Sequence, residues 1–231
     1  MIAGVIFDKD GTLFDFRSSW GGWARRLLQD LAGDTPQARA LGAQIGYDLD
    51  RAQFAPDSPV IAGTPDEIAA CLLPHLPGMP NTALVQRMNR LAATAVMAEA
   101  VPLVPLMQDL RRRGLKIGLA TNDGEAPARA HLAAHGLTDL FDFIAGCDSG
   151  HGGKPAPGQL LAFLRQTGLE PARVAMVGDS RHDLQAGRAA GMQTVAVLTG
   201  IAVAADLAPL ADVVLPDIGA LPGWIDARVP A

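Results

Sequence analysis

The chain has 231 residues, 49% of them hydrophobic and 19% charged, and its 19 Lys plus Arg against 24 Asp plus Glu leave a net charge of -5. This composition is that of a globular protein with one large domain or two unequal ones, and its acidic balance excludes a surface built to coat nucleic acid. Cys71 and Cys147 lie far apart and join no CxxC or Cys/His cluster, which excludes a disulfide scaffold and a structural zinc site and makes a reducing cytoplasm the expected location. No apolar run reaches the ~18–20 residues of a membrane span, and the N-terminal run meets Asp8 too early for a secretory signal. Neither membrane nor nucleic acid is an expected partner.

In chain order, residues 2–7 form a short apolar run that stops at Asp8-Lys9-Asp10-Gly11-Thr12, the pattern of a buried parallel strand feeding a loop. Residues 16–99 break that rhythm. Trp20, Trp23, Leu27 and Leu31 recur at helical spacing, as do Leu84, Met88, Leu91 and Ala95. Pro36 and Pro65 mark helix starts with Thr35 and Thr64 as N-caps, residues 74–80 read as a loop, and no strand is expected in the segment. Strand-like runs then resume. Residues 116–120 lead into Thr121-Asn122-Asp123-Gly124, 141–145 into Gly146, and 174–177 into Gly178-Asp179-Ser180; 195–198 meet Thr199-Gly200 and 212–215 meet Pro216. Helices predicted over 126–135, 159–167 and 183–190 are each followed by a glycine suited to a left-handed cap. The alternation predicts an α/β fold, a doubly wound parallel sheet with a helical insert, whose polar clusters all fall at the carboxyl ends of strands. The core is expected over 1–15 and 100–231 and the insert over 16–99, with hinges at 15–19 and 99–105.

Asp8 and Asp10, at i and i+2 on extended chain, point the same way. A turn cluster is the plain alternative. A second acidic pair, Asp179 and Asp183, follows another strand and shares one face of a helix start. Four carboxylates converging on one sheet edge repel unless a cation relieves them, and an all-oxygen donor set favours Mg²⁺ over zinc. Thr121 and Asn122 stand where a hydroxyl and free N–H groups make an anion cradle. Lys154, one of only three lysines, follows the Gly-rich stretch 150–153. Read alone it is a solvated loop lysine; read with the acids and the cradle it completes a site for Mg²⁺ and a phosphoryl group.

Asp8-Lys9-Asp10-Gly11-Thr12-Leu13, then Thr121-Asn122, then Lys154-Pro155-Ala156-Pro157, then Gly178-Asp179-Ser180-Arg181-His182-Asp183 resemble the four ordered motifs of the haloacid dehalogenase-like hydrolase superfamily. The likeness spans the whole chain and is nearest to the phosphoglycolate phosphatase-like branch, with a Rossmann-like core and an all-helical cap domain. It departs where Asp15 is followed by Phe16-Arg17, relatives often having Ser or Thr there, and at Gly158, where an acid is frequent. The resemblance implies a Mg²⁺-dependent phosphatase acting on a small phosphorylated metabolite, phosphoglycolate first among them. Asp8 is then the nucleophile that forms an aspartyl-phosphate, and Asp10 the general acid and base. Metal ligation falls to Asp8, the carbonyl of Asp10 and Asp179, with Asp183 near or bridging through water; Thr121, the Asn122 backbone and Lys154 hold phosphoryl oxygens.

Lys9, between the two acids on the opposite side of the strand, receives no role. Arg17, on the hinge, is a candidate substrate contact, with a solvent-exposed arginine as the alternative. Trp20 and Trp23 read as packing of the insert, His182 and His151 as surface residues, and His75, His131 and His135 show no partners. Among sister activities, Asp10 argues against a dehalogenase, and the lack of any lysine between Gly11 and Leu115 argues against a Schiff-base phosphonatase. A phosphomutase of the β-phosphoglucomutase type and a non-catalytic regulatory homologue remain open. A receiver-like signalling domain is too short and has no place for residues 178–183.

Overall fold

The structure, a computed structural model, describes residues 1–228. The chain opens with β1 (Gly4–Phe7) and continues into an insert of α1 (Phe16–Leu31), α2 (Thr35–Gln44), β2 (Tyr47–Asp48), β3 (Gln53–Phe54), α3 (Pro65–Leu72) and α4 (Asn81–Ala92). It returns through α5 (Leu103–Arg112) to β4 (Lys116–Ala120), α6 (Glu125–Ala134), β5 (Phe143–Ala145) and α7 (Gly158–Thr167). The last elements are β6 (Val174–Gly178), α8 (Arg181–Ala189), β7 (Gln193–Val197), α9 (Ala204–Leu207), β8 (Val213–Leu215) and α10 (Leu221–Asp226). Element ends differ from the sequence expectation by two residues at most along the sheet.

Six parallel strands lie in the order β5-β4-β1-β6-β7-β8. The strand order reverses at β1, so the carboxyl ends of β1, β4 and β6 border the crevice where doubly wound sheets bind ligands. Both faces are covered, which is why β1 is apolar without alternation. Val5, Phe7, Ile117 and Leu119 pack with Leu103, Leu110 and Leu132 of α5 and α6, while Ile6 and Met176 pack with Leu160 and Phe163 of α7. A Cβ on Gly118 would stand 2.8 Å from the Phe163 ring, so that seat needs a glycine. Register then places the chemistry: Phe7 lies opposite both Leu119 and Val177. The next residue, Asp8, donates its N–H to the Val177 carbonyl at 2.9 Å, and Thr121 and Asp179 emerge on either side of it.

In the insert, α1 buries Trp20, Trp23, Ala24, Leu27 and Leu28, one stripe at helical spacing. Thr64 caps α3 in a reciprocal pair with Glu67, as its position predicts. The cap of α2 is Asp34 rather than Thr35, because its carboxylate accepts the Gln37 N–H at 2.8 Å while Thr35 is already helical. The expectation of an all-helical insert is corrected by the β2–β3 hairpin. Asp48 Oδ1 accepts the N–H groups of Asp50 and Arg51, both at 3.0 Å, and turns the chain; Tyr47 and Phe54 then pair with ring centroids 4.8 Å apart. Two-residue strands are too short to show alternation. No helix among the described residues is long and apolar enough to cross a membrane.

Candidate active site

At the ends of β1 and β6 the carboxylates of Asp8, Asp179 and Asp183 lie within 4.8 Å of one another, all buried. The α8 terminus fixes Asp183: the Ser180 N–H and Oγ donate to its Oδ2 at 3.0 and 2.7 Å, a reciprocal cap that also orients the helix. Asp179 is fixed by crowding. Gly11 (φ +83°) and Gly200 press their backbones against it, and a Cβ at either position would overlap its carboxylate. Thr199 Oγ1 donates to the Gly11 carbonyl at 2.6 Å and ties those two loops together. Gly200→Ala should therefore displace Asp179 and cut metal-supported activity by tenfold or more, of the order expected for disturbing the surroundings of a metal ligand. Melting temperature should stay near wild type. Unchanged metal dependence would show that Asp179 is not held this way.

Lys154 is the cation of this cluster. Its Nζ donates to Asp8 Oδ1 and Asp183 Oδ1, both at 2.6 Å, and to the Ala120 carbonyl at 2.7 Å, which uses all three ammonium protons. Asn122 sets its position. Asn122 Oδ1 accepts the Lys154 N–H at 2.7 Å, and Nδ2 donates to the carbonyls of Lys154 and Ala62, both at 2.8 Å. The Asn122 amide is thus spent as a clamp joining core and insert, and its main-chain N–H is left for an anion, as the expected backbone contact requires. Thr121 Oγ1 accepts the Asp123 N–H at 3.1 Å and keeps its own proton to donate.

Three carboxylates against one ammonium leave a formal charge of -2 in a buried site. Burial, with Asp183 and Asp10 adding to it and Lys154 opposing, raises the Asp8 carboxyl to about 7. Burial and then Asp8 and Asp183 lift Asp179 well above the carboxylate range. Burial alone would lower Lys154, but Asp183 and Asp8 more than reverse it and hold it charged. A divalent cation cancels this excess, and an all-oxygen donor set suits Mg²⁺; the residues present fit the metal that the sequence implies.

The Asp10 carboxylate belongs to a neighbouring cluster in the same cleft. β1 ends at Phe7, so Asp8 and Asp10 both lie beyond the strand, and both line the same cleft. The Asp10 carboxylate lies outside the three-acid group. It accepts from Trp20 Nε1 at 2.8 Å and pairs with Lys9 Nζ at 3.0 Å. Lys9, given no catalytic role by the sequence, is fully buried, bonded also to Asp123 at 2.8 Å and to His131 Nδ1 at 3.0 Å. Burial would lower its pKa, yet Asp10 and Asp123 raise it. His131 is not partnerless: its Nε2 lies 2.8 Å from the Ala92 carbonyl and so must be the N–H, leaving Nδ1 to accept from Lys9. Burial and the charge of Lys9 both lower its pKa, keeping the ring neutral. Two of the three lysines are thus buried at the site, one for each acid cluster.

Trp20 is both core of the insert and a site residue, which helical spacing alone did not reveal. Trp23 keeps the packing role, its Nε1 donating to the Met88 carbonyl at 3.3 Å. His182 lies half-buried on the rim of the cleft. His135 pairs with Glu99 at 3.0 Å. Arg17 is exposed on the first turn of α1, outside the residues that line the cleft. Ser180, Thr12, Gly200 and the loop 60–63 were also missed; of these only the Ser180–Asp183 spacing carried a readable cap signal.

The family model for haloacid dehalogenase-like hydrolase matches residues 2–191. A phosphoglycolate phosphatase from Rhodospirillum rubrum is 32% identical over 244 residues, covering 98% of this chain and 92% of that protein. The structure of CbbY from Rhodobacter sphaeroides in complex with phosphate aligns with a TM-score of 0.72 at 23% identity over 96% of each chain. β-Phosphoglucomutase from Clostridium difficile aligns at 0.69 and 19% identity, over 98% of this chain and 96% of that one. A match of that extent, laid over acids that no plain turn cluster would bury together, makes the chain a member of the haloacid dehalogenase-like hydrolases, a phosphatase of their phosphoglycolate phosphatase-like branch.

Proposed function

We propose that the chain hydrolyses a small phosphomonoester with Mg²⁺, through a phosphoryl group carried on Asp8. The observation that supports this best is the division of the acids. Asp8 sits with Asp179, Asp183 and Lys154, while Asp10 is held separately by Lys9 and Trp20. An acid that must attack and one that must exchange protons need different environments. Asp8 Oδ bonds to phosphorus as the ester P–O bond breaks, and Asp10 gives its proton to the departing oxygen. Asp10 then takes a proton from water as water attacks phosphorus; the Asp8–phosphorus bond breaks and phosphate leaves. Thr121 and the N–H groups after it hold the phosphoryl oxygens, and Lys154 joins them by exchanging its bond to Asp8 for one to the phosphoryl group as Asp8 attacks. Asp8, the Asp10 carbonyl and Asp179 would hold the metal, with Asp183, whose oxygens serve Lys154 and Ser180, beside them. Bound Mg²⁺ supplies charge that offsets the acids and the phosphoryl oxygens. Residues 16–99 act as a cap over the core of 1–15 and 100–231, and the Asn122–Ala62 and Trp20–Asp10 bonds close it. Phosphate release from a panel including phosphoglycolate, sugar phosphates and nucleotides, with Mg²⁺ and with EDTA, tests this reading. Metal-dependent release supports it, and release unaffected by EDTA contradicts it.

The role of Asp10 has its own check. Trp20→Phe keeps a ring but removes the N–H that orients Asp10, a bond to a charged group worth about 1.5–3 kcal/mol. Turnover of alkyl phosphates, whose leaving oxygen needs a proton, should fall roughly 10- to 100-fold. Formation of the phosphoenzyme from p-nitrophenyl phosphate should change little. Equal losses for both would show that Trp20 does not act through Asp10.

Metal binding should also depend on pH. With its folded-state carboxyl at about 7 against an ordinary 3.8, Asp8 holds a proton in the metal-free folded state that the unfolded chain has released. The group's contribution to stability therefore falls as pH rises from 3.8 to about 7 and is constant above. Mg²⁺ competes with that proton, so the rise in melting temperature on adding Mg²⁺ should be larger at pH 8 than at pH 5.5. An equal rise at both would show that no such proton is displaced.

A further inference from the structure

The wall of the cleft facing the acids comes from the insert and is apolar: Trp20, Trp23, Val60, Ile61, Ile68 and Met88. Both indole N–H groups are already spent, on Asp10 and on the Met88 carbonyl. The insert carries arginines and no lysine, and none of the arginines lines the cleft among the described residues. Arg25 and Arg26 donate to the carbonyls of Leu49 and Thr94, and Arg39, Arg51 and Arg87 pair with Asp50, Asp48 and Asp30. Arg17 and Arg90 are exposed. Asn89 is the polar side chain that the insert adds to the lining. On the core side the charges are mostly acids, and the protons of Lys154 are engaged.

Asp10 shows where the leaving group goes. It is the proton donor, and it lies against the Trp20 indole, so the departing oxygen faces Trp20 and the rest of the alcohol runs along the apolar wall. A carboxylate there would be desolvated without a cation and would face several acids, a cost that discriminates strongly. A second phosphoryl group, which a phosphomutase must hold, would meet the same wall.

Resting on the phosphatase reading above, we infer that the preferred substrates are monoesters of neutral, largely apolar alcohols, and that carboxylated or doubly phosphorylated esters are discriminated against. Phosphate release with Mg²⁺ from ethyl, butyl and 2-phenylethyl phosphate is compared with release from phosphoglycolate, all being alkyl esters. The kcat/KM should rise about three- to fourfold per added methylene from ethyl to butyl, the yield of burying a CH₂, and phosphoglycolate should trail butyl phosphate by about 30-fold or more, the lower range for an unpartnered buried polar group. Ile61→Arg, which places a cation on the half-buried part of that wall, should move the ratio towards phosphoglycolate by at least about tenfold, with the thermal melt reporting that the variant is folded. Phosphoglycolate equal to or ahead of butyl phosphate in the wild type overturns the inference and leaves the phosphatase reading standing. Metal-dependent release from none of these esters removes that reading, and the inference with it.

Discussion

Asp8→Asn should abolish phosphate release, by about 10⁴-fold or more, the order expected when a covalent nucleophile is removed, while raising the melting temperature of the metal-free protein. The two effects have one origin. Asp8 is one of three buried carboxylates facing a single ammonium, and its carboxyl is already pushed to about 7 by that environment. An amide of the same shape can still accept from Lys154 but neither attacks phosphorus nor repels Asp179 and Asp183. The stabilisation conferred by Mg²⁺ should shrink at the same time, because a ligand and a charge have gone. Thermal melts with Mg²⁺ and with EDTA, beside a phosphate-release assay, read all three effects. Near-normal turnover would move the nucleophile elsewhere, and a lower metal-free melting temperature would mean that Asp8 is not held at a cost.

Lys154→Met should do the reverse. It leaves three buried acids without a cation, and removing one partner of a buried ion pair costs about 3–5 kcal/mol. For a chain of this size that corresponds to a fall of roughly 10 °C in metal-free melting temperature. Mg²⁺ should restore much of the loss, because it supplies the missing charge, whereas kcat should remain about 10²- to 10³-fold down, as when a preorganised donor to the phosphoryl group is lost. Lys154→Arg should not rescue activity: a planar guanidinium cannot direct three protons at Asp8, Asp183 and the Ala120 carbonyl from one atom. A Lys154→Met protein that melts in EDTA like wild type would show that the cluster is not compensated by this residue.

The parts of the site legible in the sequence are those that local pattern controls. A buried strand stopped by acid or hydroxyl residues announces its own carboxyl end, and Asp8, Thr121 and Asp179 were found that way; parallel register then brings them together. Asp183 was readable because it sits on the first turn of a helix after Ser180. The bond from Lys9 to Asp10 was not legible, because alternation along a strand holds only while the strand lasts and β1 ends two residues earlier. Trp20 satisfies helical spacing on α1 and simultaneously bonds to Asp10, and spacing cannot separate those roles. The Asn122 clamp depends on where residue 62 of the insert comes to rest, and the hairpin on a side-chain turn at Asp48 within strands two residues long. These are contacts made by packing, across distances in sequence that no local period reports.

The measurement that bears most directly on the central claim is rapid chemical quench of a turnover with a ³²P-labelled phosphomonoester and Mg²⁺, using wild type and Asp10→Asn. The expected result is a hydroxylamine-labile phosphoryl group on the peptide containing Asp8, transient in the wild type and accumulating in Asp10→Asn, where the water that releases it is no longer activated. Rapid phosphate release with no labelled protein in either form, and none trapped on Asp8, would contradict the covalent route.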